Sequence, residues 1–156
     1  MTSESLRFYH QDFWQFSLSH YAQAGVQSAC LCLQNCYQGN VNLALLLHWL
    51  DCQHQSLSDY CRQQLITCLG PSDNLLQQYR TMRDQLKPQL GEAGYKQLLA
   101  FELKLEKGQQ QALIAQLNLC ILHSMPHHGT TDNLKRYCKQ LGASQLFPQL
   151  TAVTRT

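Results

Sequence analysis

Glu102 and Glu106 stand four residues apart in the run AFELKLEK, a spacing that puts both carboxylates on one face of a helix. A continuous helix would carry Leu98, Leu99, Leu113, Leu117 and Cys120 on the same face. Carboxylates among leucines need partners, because desolvation penalises an unpaired charge. Arg80, Arg83 and Lys87 fall in a narrow sector of the preceding helical segment, beside its apolar stripe. Antiparallel packing of the two segments would bring these groups together, and guanidinium groups can grip carboxylates bidentately. Arg80, Arg83, Glu102 and Glu106 are therefore the candidate polar cluster. Its first reading is a salt-bridge network that fixes two helices against each other. Its alternative reading is an anion-binding pocket or an acid/base pair. A di-metal carboxylate centre is disfavoured, since it uses Glu-x-x-His motifs and the chain has none.

Cys120, His123, His127 and His128 form a weaker candidate, for zinc or copper. Cysteine and histidine three apart share a helix face, and the two later histidines sit in the run SMPHHGTT, a loop able to fold back. Against it, no CxxC occurs and no second half-site has ligand spacing. A core cysteine beside solvent histidines is the plainer reading, and no cofactor is expected. Cys32 and Cys36 share a face of one segment with Cys30 close by, and could pair only with Cys52 or His48. Packing explains them as well. His48 and Asp51 are three apart and could hydrogen-bond. Phosphate-loop, HExxH and GxSxG motifs are absent from the sequence.

The elements that must position these groups read as helices. Apolar residues recur at helical spacing, strand-like alternation is absent and β-branched residues are scarce. The first helix is expected over 12–23 with Trp14, Leu18 and Tyr21 as its stripe, the second over 26–37 with Gly39 as its stop. Asn40 is the expected N-cap of 41–52, VNLALLLHWLDC, which is apolar almost all round and so predicts the central buried helix. Ser56 or Ser58 should open a helix that Gly70-Pro71 ends; the next covers 73–86, with Leu75, Leu76, Tyr79, Met82 and Leu86 inward. A long helix over about 92–123, with a bend or break near Gly108, and a last one over 132–141 complete the set. The expected fold is an all-α, single-domain bundle of about six to seven helices spanning 1–156, with flexible ends at about 1–8 and 151–156.

Charged residues make up only 14% of the chain and the net charge is +2, which gives no bulk attraction to nucleic acid or anionic lipid. Arg7 stands against Glu4, Asp12, Asp51 and Asp59 in the first 60 residues, whereas Lys135, Arg136, Lys139 and Arg155 stand against Asp132 after residue 124. The basic trio Lys135, Arg136 and Lys139 lacks interleaved aromatics, so no nucleic-acid partner is expected. The longest apolar run, 43–47, is far short of the ~20 residues a membrane helix needs. The polar opening predicts no signal peptide, and eight cysteines, mostly on apolar stripes, are read as reduced thiols in a cytoplasmic protein. A weakly charged surface is poorly protected against association.

FWQFSLSHYAQAGVQSACLCLQ (13–34), NVNLALLLHWL (40–50), YRTMRDQLK (79–87) and AFELKLEK (100–107) resemble, in this order, a family of small proteobacterial proteins described only as a domain of unknown function. The resemblance covers about 13–117, including Arg80, Arg83, Glu102 and Glu106. The family often has an acidic residue where this chain has Asn40 and a proline where it has Ala24; both suit a turn or cap. The resemblance implies a bacterial cytosolic setting and no particular activity. The functional expectation is a non-enzymatic protein-interaction or regulatory module, with a protein partner or self-association. The alternative is a small-ligand-, anion- or metal-binding protein, or an enzyme, using the Arg80/Arg83–Glu102/Glu106 cluster.

Overall fold

The computed structural model describes residues 7–120, 123–124 and 131–152. Seven α-helices occur among them: α1 His10–Tyr21, α2 Val26–Tyr37, α3 Val41–Cys52, α4 Asp59–Leu86, α5 Glu92–Leu117, α6 Asn133–Leu141 and the short α7 Phe147–Leu150. Two residues of extended chain, β1 Gln55–Ser56, pair antiparallel with β2 His123–Ser124, so a small ladder joins the otherwise all-α domain. No helix among the described residues is long and apolar enough to cross a membrane. The expected loose ends at 1–6 and 153–156 lie outside the described residues. Phe8, also counted with them, is buried, and its backbone N–H and C=O are both held by the Asn118 side chain at 2.8 and 2.9 Å.

α3 is the centre. Its bounds match the predicted span, Asn40 caps it by accepting from the Leu43 N–H at 2.7 Å, and Leu43, Leu46, Leu47 and Leu50 are fully enclosed. With no broad polar face the helix has to be covered, and α1, α2, α5 and α6 pack around it. Asp51, at its C-terminal end, accepts the Asn133 and Leu134 N–H groups at 3.0 and 3.1 Å. The carboxylate thus caps α6 and holds it on the core, so Asp51 is engaged there rather than with His48.

Several boundaries differ from the sequence reading. Gly70-Pro71 does not end a helix: α4 runs on through both to Leu86. Pro71 removes the N–H that the Thr67 carbonyl would accept, but both residues lie on the solvent side. Buried side chains on either side, Leu69 and Leu76, keep the helix on course, and the Ser72 hydroxyl donates to the Leu69 carbonyl at 3.1 Å. α5 passes Gly108 unbroken and stops at Leu117, six residues short of His123. The left-handed residue after α2 is Gln38 at φ 60°, not Gly39. Gly39 is needed for another reason: a Cβ there would lie 2.6 Å from Leu33 and 2.9 Å from Leu141. On α1 the buried stripe is Phe13, Ser17 and His20, one residue round from the expected Trp14, Leu18 and Tyr21. Two buried polar side chains make this rotation possible, because each finds a partner: Ser17 Oγ accepts from Gln110, and His20 Nε2 bonds the Leu150 carbonyl at 2.6 Å.

Candidate functional site

α4 and α5 form a long antiparallel hairpin. Its inner half is anchored in the core by Leu65, Leu69, Leu113, Ile114 and Leu117. Its outer half projects past the core, and of the expected inward residues Leu75 and Met82 are exposed. Tyr79 instead ties the two helices by donating from its hydroxyl to the Leu98 carbonyl at 2.6 Å.

On the adjacent face of this outer half the four cluster residues meet. Arg80 reaches Glu102 at 3.4 Å through Nε and Glu106 at 3.2 Å through Nη2. Arg83 binds Glu102 through Nη1 and Asp84 at 3.2 Å through Nη2. Glu102 is 8% exposed, the deepest carboxylate of the group. Burial pushes the Glu106 carboxyl above its usual range, with Arg80 opposing and Glu102 adding to the rise. Burial works against the charge of Arg83, but the Glu102 carboxylate and the bonds to Glu102 and Asp84 outweigh it, and its pKa is raised.

The cluster is one wall of a cleft of about 400 Å³. The opposite wall comes from α1 and α2, where Trp14, Leu18, Tyr21 and Leu31 face it. Of the apolar residues expected inward on α1, Trp14 and Leu18 therefore face a concavity, and Tyr21 lines it while also packing against the core.

The floor was not foreseen as a site. Asn40, Asn42, Gln109 and Gln110 are all buried there, and Asp73 stands beside them. Asn40 Nδ2 donates to Asp73 at 2.8 Å and to Gln109 Oε1 at 3.1 Å; Asn42 Nδ2 donates to the same Gln109 oxygen at 2.9 Å. Gln109 Nε2 donates to Ser72 Oγ at 2.9 Å, and Gln110 Nε2 to Ser17 Oγ at 3.0 Å and Asn42 Oδ1 at 3.1 Å. The available signal was Asn42, a polar interruption in the run 41–47, and the continuation of the Glu102–Glu106 face through Gln109, Gln110 and Leu113.

The match of the chain to known families spans residues 12–113, and the matching family is described as protein of unknown function (DUF2390). The chain belongs to the DUF2390 family. Neither a curated protein nor a solved structure matches it. Every residue lining the cleft, from Trp14 to Gln110, falls within the matched span, whereas α6 and α7 lie beyond it. In this DUF2390 protein the cleft is built wholly from the part that defines the family.

The remaining candidates of the DUF2390 chain are placed elsewhere. Cys120 is half-buried just after α5, and burial, then a hydrogen bond with Cys61 and the nearby Cys68, push its thiol up to about 12. His123 contributes backbone to β2, opposite Ser56; His127 and His128 lie outside the described residues. No group of three or more His, Cys, Asp or Glu side chains suited to a metal occurs among the described residues. Cys30, Cys61 and Cys138 are core residues, but Cys36 and Cys52 are exposed, contrary to the general packing reading. His48 approaches Cys52 Sγ at 3.7 Å on α3, and its ring lies tilted against that of His20, centroids 4.5 Å apart. Of the basic trio, Arg136 is engaged by Asp132 at 3.0 Å and Asp59 at 3.4 Å.

Proposed function

We propose that this protein binds a small organic molecule in the cleft between α1–α2 and the outer half of the α4–α5 hairpin. The observation that carries the reading is the union of a 400 Å³ concavity with a buried polar floor and apolar upper walls. Small-molecule sites have this size and make-up: mostly apolar lining with a few placed polar groups. Both guanidinium groups are taken by carboxylates, so the cluster serves as a shaped wall and not as a receptor for anions. The role assigned is binding, without a chemical step.

A thermal-shift screen of a metabolite library against the wild type and Leu31→Trp tests it. Leu31 lines the cleft from an exposed position on α2, so the larger indole fills the space without touching the core. Compounds that raise the Tm of the wild type and not of Leu31→Trp support the reading. Equal responses from both proteins, or none from either, refute it.

A second reading is favoured by the face next to the cleft. Leu75, Tyr79 and Met82 of α4 follow one helical stripe, and the Phe101 ring lies 5.6 Å from that of Tyr79; Leu75, Met82 and Phe101 are exposed. The occupant it suits is a second copy of the chain, because a chain with only 14% charged residues has little charge to keep two such faces apart. Sedimentation should then show concentration-dependent dimers that Phe101→Glu removes.

A further inference from the structure

The hydrogen bonds of the cleft floor leave acceptors unfilled and donors spent. Amide orientation there follows from the backbone. The Leu43 N–H donates to Asn40 Oδ1, which turns Asn40 Nδ2 toward Asp73 and Gln109 Oε1. Gln109 Oε1 also accepts from Asn42 Nδ2, so Asn42 presents Oδ1 to Gln110 Nε2. The second Gln110 Nε2 hydrogen goes to Ser17 Oγ. Asn42 spends its own second hydrogen on the Glu106 carbonyl at 3.5 Å, and Gln109 its two on Ser72 and Asp73. The series ends on Gln110 Oε1, which has no hydrogen-bond partner among the described residues although Gln110 is 1% exposed. Turning the Gln110 amide over would set its oxygen against Asn42 Oδ1, acceptor against acceptor, so the vacancy is fixed by the network.

The charges point the same way. Among the residues lining the cleft, Asp73, Glu102 and Glu106 face only Arg80 and Arg83. Asp73 accepts from the neutral amides of Asn40 and Gln109 and has no cationic partner among the described residues. Among the described residues Glu106 has a single ion pair, to Arg80. Lys107, the next cation along α5, stands over the Trp14 ring at 5.2 Å and does not line the cleft. A buried acceptor without a donor is costly, and an excess carboxylate in a half-enclosed site costs more.

Resting on the small-molecule reading of this cleft, we infer that its ligand is an organic cation, a molecule whose protonated amine or guanidinium donates to Gln110 Oε1 and to the carboxylates of Glu106 and Asp73. Its apolar body lies against Trp14, Leu18, Tyr21 and Leu31. An anion would meet the excess carboxylate with no uncommitted guanidinium to receive it. A neutral ligand would fill the volume and leave the charge unanswered.

Three probes of one shape test the inference: n-hexylamine, 1-hexanol and hexanoate, titrated at neutral pH and followed by Trp fluorescence and by the Gln110 side-chain amide signals. Hexylamine should bind at least about tenfold tighter than 1-hexanol, the value of one charge-assisted hydrogen bond, and hexanoate most weakly. Glu106→Gln should reduce the preference for hexylamine over 1-hexanol; Asp73→Asn provides the same readout from α4. Hexylamine binding no tighter than 1-hexanol, or weaker than hexanoate, overturns the cationic class while leaving the cleft as a binding site. If no probe binds, or all bind Leu31→Trp as well as the wild type, the cleft reading falls and the inference with it.

Discussion

Glu102 is held by two arginines, and its ion pairs lie deeper than that of Glu106. The side chains of Arg83 and Glu102 are 19% and 11% exposed, whereas Glu106, the outer partner of Arg80, is 31% exposed. Screening weakens an ion pair as water reaches it. Glu102→Gln should therefore cost about 2–3 kcal/mol by stranding a guanidinium, and pairing it with Arg83→Gln should recover part of that loss. In double-mutant cycles by chemical denaturation the Arg83–Glu102 coupling should be about 1–2 kcal/mol and exceed that of Arg80–Glu106; equal, negligible couplings would place the groups in free solvent. His48 sets a pH dependence of its own. Burial, then the neighbouring His20, lower its pKa from 6.5 to about 4. Between these values the unfolded chain takes up the proton and the folded one does not, so stability falls as pH drops from 6.5 toward 4. His48→Phe should make the fall in Tm over that window shallower than in the wild type. At this scale the four charged residues were legible because glutamate among leucines is conspicuous. The amide floor was not: Asn42, Gln109 and Gln110 are ordinary on exposed helical faces, and only their mutual hydrogen bonds, across α3 and α5, distinguish them.

Helix type was readable at nearly every position because the 3.6-residue period is a local property, while boundaries went wrong where tertiary contacts overrode local signals. Pro71 shows how. Its lost hydrogen bond costs locally, but Leu65 and Leu69 before it and Leu76 after it are buried, so one continuous axis satisfies more contacts than a turn would. The same argument predicts a gain on removing it. Pro71→Ala restores an N–H to the Thr67 carbonyl at an exposed site, where proline is about 3 kcal/mol less favourable than alanine. Part is lost again to greater freedom of the unfolded chain, about 0.4–1 kcal/mol. The net expectation, checked by urea unfolding, is a stabilisation of about 2 kcal/mol; a destabilised variant would mean that the proline is needed for the course of α4. The α1 stripe erred in the opposite sense. Trp14, Leu18 and Tyr21 are as apolar as a core face should be, but Ser17 and His20 have buried partners in Gln110 and Leu150, residues 93 and 130 positions away that no local window can see. α3, by contrast, has no polar face to offer, so its place followed from sequence. Leu46→Ala there should cost about 2–5 kcal/mol, against little for the exposed Leu75→Ala.

Taken whole, the molecule is a packed core of helices from which half a hairpin extends. A helix the length of α4 spans ~42 Å, more than the core can cover. Beyond Leu76 the outer hairpin has one buried side chain before Gln109, and that is Glu102. What joins its two helices is therefore mainly polar: the Arg80, Arg83, Glu102 and Glu106 pairs, the Tyr79 hydroxyl on Leu98, and Lys87 over the Tyr95 ring at 5.1 Å, beside the one ring contact of Tyr79 with Phe101. Such a unit opens more easily than a leucine-packed one, because few apolar contacts resist its separation. Amides between residues 83 and 103 should exchange faster than those between 61 and 69, which belong to the core. Tyr79→Phe and Glu102→Gln should each speed exchange in the outer segment, together by at least about tenfold, or ~1.4 kcal/mol, with the inner segment unchanged. Because the outer hairpin forms one wall of the cleft and α1–α2 the other, a molecule seated between them would join the outer hairpin to the core. Hexylamine at saturation should then slow exchange over 83–103 and leave 61–69 as it was. Slowing spread evenly over both segments would mean that the hairpin opens only with the whole domain, and that the cleft has no hinged wall.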